Sequence, residues 1–300
     1  MIETLRKRVR ELIDSKAIDL FIGYKWANEE ERRIKPIFIT SANGADELVF
    51  NPYCFNNLAL YLTKADIINR YKKIGLITKG CDLRAVIALC QENQVERERL
   101  FIISVPCGGV YKDTGNYEKI DVESITDKCP GCRVANPSDK LANEVIGNKI
   151  SEKEDPAFMQ NDIDKWWKDF DKKTEEERLA YWKTEFDKCI KCYACRQVCP
   201  LCYCPTCIVD QNMPRFFTKA VSDKGNIAWN IVRAYHLIGR CIGCGECERV
   251  CPVNIPLMKL NRRMANFVKD SYHYTSGMDT EAAPALVTFK SEDDENLFHG

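Results

Sequence analysis

Cys189, Cys192, Cys195 and Cys199, the last followed by Pro200, read C-x2-C-x2-C-x3-C-P. Cys241, Cys244, Cys247 and Cys251-Pro252 repeat that spacing without change. Thiolates at every third residue of a tight loop wrap three corners of an iron–sulfur cubane. In a pair of such runs, the fourth thiolate of each reaches across to the other cube. The expected ligand sets are Cys189, Cys192, Cys195 with Cys251, and Cys241, Cys244, Cys247 with Cys199. Zinc fits less well, because a structural site uses two C-x2-C knuckles and needs only four ligands. A disulfide network is disfavoured by the odd total of 17 cysteines. The opening stretch "MIETLRKRVRELIDSKAIDLFIGY" reads as an amphipathic helix running into a strand, without the apolar core of a signal peptide. A cytoplasmic chain is expected, where dense cysteines mean metal more often than disulfide.

The cysteines need elements to position them. Residues 1–150 alternate apolar runs of strand length with helical stretches: "AIDLFIGYKW", "RIKPIFIT", "KKIGLIT", "CDLRAVIALCQEN" and "RLFIISVPC". A buried strand, a helix and a second buried strand make a βαβ unit, so the expected fold is an α/β domain with a parallel sheet. "CFNNLALYLTKADIINRY" reads as helix-like. Residues 151–188 form a charged helical linker, in which Thr174 and Glu177 fit a capping box. Trp166, Trp167 and Trp182 in it read as packing between domains or as a docking surface. Residues 189–270 are expected to be a mainly α-helical dicluster domain, and residues 271–300 an acidic tail.

In the βαβ reading, Cys81 and Cys107 end adjacent parallel strands on one sheet edge. The "CPGC" loop, Cys129 to Cys132, can close over that edge. Ligands of open α/β sheets collect there, so these four converging thiols are expected to form a third cluster site. Cys202, Cys204 and Cys207 read as three corners of a fourth site or as buried packing. Cys54, at a break after Asn51-Pro52, is the candidate for its last ligand. Cys90, on the apolar face of "LRAVIALC", is the spare. Lys79, Asp82 and Arg84 stand at a helix N-terminus, a natural anion or cofactor site; solvated or capping side chains are the alternative. His236, His273 and His299 are scattered. No catalytic constellation, P-loop or G-x-G-x-x-G is present.

The helical second half, about residues 186–268, resembles the α-helical ferredoxin domains of heterodisulfide reductase and fumarate reductase iron–sulfur subunits. The series "IGYKW", "NPYCFNNLALYL", "GCDLRAVIALCQEN", "VPCGG", "CPGC" and "CIKCYACRQVCPLCYC" resembles the beta-subunit family of coenzyme F420-reducing hydrogenase and formate dehydrogenase. The family pattern implies a cluster on Cys81, Cys107, Cys129 and Cys132. It also implies FAD and a deazaflavin acceptor. After Cys132, however, "RVANPSDKLANEVIGNKI" and the charged linker replace the family's longer glycine-bearing continuation.

Basic and acidic residues balance at 44 each, which leaves no global field for nucleic acid or anionic lipid. No stretch reaches the roughly 18 apolar residues of a membrane span. The expected function is that of an iron–sulfur electron-transfer subunit in an anaerobic redox complex. It would join a formate dehydrogenase, a hydrogenase or another tungsten or molybdenum enzyme to a flavin or heterodisulfide-reductase-like partner. The alternative is an FAD-dependent subunit reducing a deazaflavin or NAD(P).

Overall fold

Leu5, Val9 and Leu12 recur at helical spacing and are all buried in α1 (Ile2–Asp14). The computed structural model, which describes residues 1–112, 117, 119–121, 123–151, 162–216 and 218–287, continues from α1 into a five-stranded sheet. Its order is β2 (Arg33–Ile39), β1 (Leu20–Asn28), β3 (Ile74–Thr78), β4 (Leu100–Ser104) and β5 (Glu144–Val145). The β1–β3, β3–β4 and β4–β5 pairs are parallel, as the βαβ reading expects. The β1–β2 pair is antiparallel. The turn between Asn28 and Arg33 is far too short for the crossover that a parallel partner needs.

All five residues of β3 are buried, and so are four of the five in β4. That explains their unbroken apolar runs, because both faces of such a sheet are covered. Between them runs α3 (Gly80–Gln91), with Leu83, Val86, Ile87 and Leu89 buried. The stretch expected to be helical after Cys54 forms instead a 3-10 turn at Leu58–Thr63 and one short helix, α2 (Ala65–Ile68). Leu58, Ala59 and Leu62 are buried there. Tertiary burial of three side chains wins over propensity in a segment too short to nucleate a stable helix alone.

Beyond the sheet, α4 (Asp162–Phe170) and α5 (Glu175–Asp187) form a hairpin. The expected capping box opens α5: Glu177 N–H donates to Thr174 Oγ1 at 3.3 Å, and Thr174 N–H donates to Glu177 Oε2 at 2.8 Å. Residues 152–161 of the expected linker lie outside the described residues, as do residues 288–300 of the expected tail. Trp166, Trp167 and Trp182 pack with Phe170 and Tyr181 inside the hairpin. Trp167 Nε1–H donates to the Lys259 carbonyl at 3.0 Å, which ties the hairpin to the last long helix.

The cysteine-rich half holds α6 (Ala194–Gln197), α7 (Asp223–His236), α8 (Glu246–Arg249) and α9 (Leu257–Tyr272). It is continuous with the sheet domain: Leu201, Leu237, Ile242 and Cys244 belong to the same apolar core as β1, β3 and β4. The chain after α9 does not leave as a tail at once. Arg84 donates to the Ser276 carbonyl at 3.0 and 2.8 Å and to the Ile242 carbonyl at 3.0 Å. Gln91 donates to the carbonyls of Asp279 and Ala282. Residues 276–282 are thus strapped along α3.

Candidate metal centres

The two matched runs fold as two copies of one backbone path. Lys191 and Gly243 occupy the same position after the first cysteine, with φ of 50° and 70°. Tyr193 and Gly245 occupy the same position after the second, with φ of 59° and 70°. A lysine and a tyrosine in the left-handed region each cost roughly 1–2 kcal/mol, and they persist where the fold demands that path. Each loop then enters a one-turn helix, α6 or α8, carrying the third cysteine.

The loops bring cysteines far apart in sequence together. Cys199, Cys241, Cys244 and Cys247 line one small hollow, with Arg233, Met258 and Asn261 in its wall. Burial pushes the Cys247 thiol up to about 12, and Cys199, Cys241 and Cys195 beside it add to the shift. The Cys195 thiol is likewise raised by burial and by its neighbours Cys189, Cys192 and Cys251. Cys192 is exposed, whereas Cys189 and Cys195 are buried. Donors already aim at several of these sulfurs. Gly243 N–H reaches Cys241 Sγ at 3.4 Å, Ile255 N–H reaches Cys251 Sγ at 3.4 Å, and Asn261 Nδ2–H reaches Cys247 Sγ at 3.6 Å. Thiolate is the metal-binding form, and such donors stabilise negative sulfur.

A third group forms on the sheet edge. Thr78 and Ser104 are paired at the ends of β3 and β4, which carries Cys81 and Cys107 to one side. Cys81, Cys107, Cys129 and Cys132 all line a cavity of about 160 Å³. Burial pushes Cys107 up to about 12, with Cys129 and Cys132 contributing. Gly80 is required at the strand-to-helix turn because a Cβ there would sit 1.8 Å from the Val134 carbonyl oxygen. The loop carrying Cys129 and Cys132 therefore seats directly on the helix start. Cys241 lines the same cavity, so this group and the dicluster half share a wall.

Cys202, Cys204 and Cys207 line a separate hollow of about 310 Å³, with Arg196, Arg233, His236 and Arg240. Cys204 is exposed. Cys202 also hydrogen-bonds Cys199, and that bond holds its thiol below the ordinary value. Cys54 is not brought to this hollow. It is fully buried, accepts from Asn51 N–H at 3.4 Å, and lies near Lys79 and Asp82. Cys90 sits on α3 away from all four groups of thiols, raised by burial to about 11.

Residues 185–255 match the family described as a 4Fe-4S dicluster domain. The F420-dependent formate dehydrogenase subunit beta of Methanocaldococcus jannaschii is 26% identical over 361 aligned positions, covering 91% of each chain. The F420-dependent formate dehydrogenase 1 subunit beta of Methanococcus maripaludis is 24% identical over 84% of each chain. This chain is homologous to formate dehydrogenase beta subunits. A solved chain of the F420-reducing [NiFe] hydrogenase complex from Methanosarcina barkeri aligns over 35% of this chain and 38% of its own, at 14% identity and a TM-score of 0.31.

Against that homology, the charged residues expected at a cofactor site all have partners within the protein. Lys79 is buried, and its ammonium bonds Asp82 at 2.7 Å, Tyr24 OH at 2.6 Å and the Asn56 carbonyl at 3.1 Å. Asp82 also accepts from Lys79 N–H at 3.1 Å, closing the helix start. Arg84 is spent on the carbonyls that strap the halves together. The spacing of cysteines gave no sign of two further buried cations. Lys128 donates to the Cys244 carbonyl at 2.8 Å and pairs Glu246 at 3.6 Å. Burial alone would lower Lys128, but Glu246 and the thiols of Cys81 and Cys129 hold it above the ordinary value. The other is Arg233, which faces both the Cys199 and the Cys202 hollows. Neither cation belongs to a recognisable spacing; only the approach of sequence-distant loops creates their surroundings. Among the described residues no helix is long and apolar enough to cross a membrane.

Proposed function

We propose that this chain is an iron–sulfur electron-transfer subunit of a multi-subunit oxidoreductase. It would join a catalytic subunit, such as a formate dehydrogenase or hydrogenase, to a flavin or heterodisulfide-reductase-like partner. The observation that carries the proposal is the crossed gathering of Cys199 with Cys241, Cys244 and Cys247 around one hollow. The residues fit cubanes in their donor chemistry: four soft thiols per group, all but Cys192 buried or half-buried, with N–H donors already aimed at sulfur. Cys189, Cys192, Cys195 and Cys251 would hold one cluster, and Cys199, Cys241, Cys244 and Cys247 a second. Cys81, Cys107, Cys129 and Cys132 would hold a third. Cys202, Cys204 and Cys207 would supply three thiolates to a fourth. Bound clusters supply one-electron carriage at potentials tuned by charge, hydrogen bonds and exposure. The chain's own part is to hold the thiolates, exclude water and bring the groups close.

The homology to F420-dependent subunits favours a second reading, in which FAD is bound and a deazaflavin reduced. The cavity at the sheet edge supports the first reading more strongly. Its 160 Å³ falls below the roughly 300–1,000 Å³ of pockets for drug-sized ligands, and Cys81, Cys107, Cys129, Cys132 and Cys241 all stand in its wall.

Metal, sulfide and flavin analysis of anaerobically purified chain tests both. About sixteen iron and sixteen sulfide per chain are expected, at four per cubane; about twelve would remove the Cys202 group. Zinc, or iron without acid-labile sulfide, would overturn the proposal. Stoichiometric FAD in the supernatant after denaturation would promote the second reading. Subunits that co-purify from native extract would name the partners.

A further inference from the structure

Arg233 lies on α7, 4% exposed, in the wall between two thiol-lined hollows. Its Nη2–H donates to the Cys195 carbonyl at 3.0 Å. Its Nε has no hydrogen-bond partner although it is buried. The other buried cations of this region differ. Lys79 is paired with Asp82 and Lys128 with Glu246, whereas among the described residues no carboxylate is paired with Arg233. What surrounds it is sulfur: Cys247 and Cys199 from one hollow, Cys202 from the other, and Cys195 from the first run.

An uncompensated buried guanidinium is costly, by several kcal/mol as an order of magnitude, and neutral thiols do little to offset it. Anionic thiolate clusters would do so. The Nε–H stays unused, and Arg cannot escape by losing its proton. We propose that Arg233 is the shared counter-charge of the dicluster domain, donating toward cluster sulfur and raising the reduction potentials of the centres on either side. This rests on the clusters being bound as proposed above. The centre held by Cys199, Cys241, Cys244 and Cys247 should feel it most, because two of its ligands adjoin the guanidinium. Reduction adds negative charge to a cluster, so a fixed adjacent cation favours the reduced form. The residue acts by position and charge, with no part in bond making.

The test is potentiometric titration followed by electron paramagnetic resonance on anaerobic parent, Arg233→Lys and Arg233→Met chains, each with its iron and sulfide counted. In Arg233→Met, reduction of at least one dicluster centre should become tenfold or more less favourable, a fall of about 59 mV for a one-electron couple. Arg233→Lys, which keeps the charge but not the forked donor, should shift less. Fully loaded variants with unmoved potentials would overturn the proposal. If Arg233→Met loses its clusters, retention of them by Arg233→Lys supports the charge role. Loss in both variants would assign Arg233 to packing instead and overturn it. A parent chain without iron and sulfide would sink the cluster reading itself, a result distinct from any of these.

Discussion

Cys90 and Cys54 are thiols whose placement separates packing from ligation. Burial pushes Cys90 up to about 11 from an ordinary 9.0. The protonated form is therefore favoured by the fold. Its contribution to stability is complete below pH 9 and fades as pH rises through about 11. Alkylation of Cys90 in the loaded protein should be slow at pH 8 and accelerate toward pH 11, as followed by peptide mass spectrometry. Replacing it, Cys90→Ala, should leave iron and sulfide per chain unchanged. Cys54→Ser should likewise keep its full iron, since Cys54 faces Asn51 and Lys79 rather than the Cys202 hollow. A loss of about four iron would return Cys54 to the ligands. The dicluster match over residues 185–255 was legible because the spacing of the eight cysteines in the two runs is local. Arg233 and Lys128 were not, because their meaning arises only when loops far apart in sequence meet.

The strand-to-helix turn between β3 and α3 carries the third group of thiols, and its geometry leaves no spare room. A methyl group on Gly80 would collide with the Val134 carbonyl, and that carbonyl belongs to the loop that brings Cys129 and Cys132. Gly80→Ala should push the loop away and cost about one cluster's iron, about four atoms per chain. The dicluster resonances should persist. Unchanged iron would mean that the loop seats independently of the turn. The β3–α3–β4 unit was readable from two unbroken apolar runs around a largely buried, apolar helix. The segment after Cys54 was not, because its apolar residues carry a helical period yet are buried as a 3-10 turn. The antiparallel edge strand β2 followed from a connection too short for crossing rather than from its own residues.

At the scale of the molecule, α3 is the joint between halves. Arg84 makes three hydrogen bonds to carbonyls of the second half. Glu92, at the end of α3, accepts from Arg240 at 3.0 Å and Tyr203 OH at 2.7 Å. Gly277 permits the approach, since a Cβ there would lie 2.0 Å from the Arg84 carbonyl oxygen. Hydrogen bonds from a charged donor contribute about 1.5–3 kcal/mol each, and these share one side chain. Arg84→Ala should therefore destabilise the loaded chain by about 3 kcal/mol and split one unfolding transition into two in anaerobic calorimetry. A single, unshifted transition would show that the apolar contact of Leu201, Leu237 and Ile242 suffices alone. The sequence foretold two domains; it did not foretell one shared core, because residues of both meet only in three dimensions.

Most of the sulfur in this protein is sheathed by polypeptide, but the sheath is open at Cys192 and at Cys204. With clusters bound as proposed, those openings would be contact terminals, which a docked protein could approach without any loop being moved aside. They are equally the places where air arrives first. Under brief oxygen exposure, decay should begin at the centres nearest these two side chains, while the group beneath the "CPGC" loop, none of whose four thiols is exposed, outlasts them.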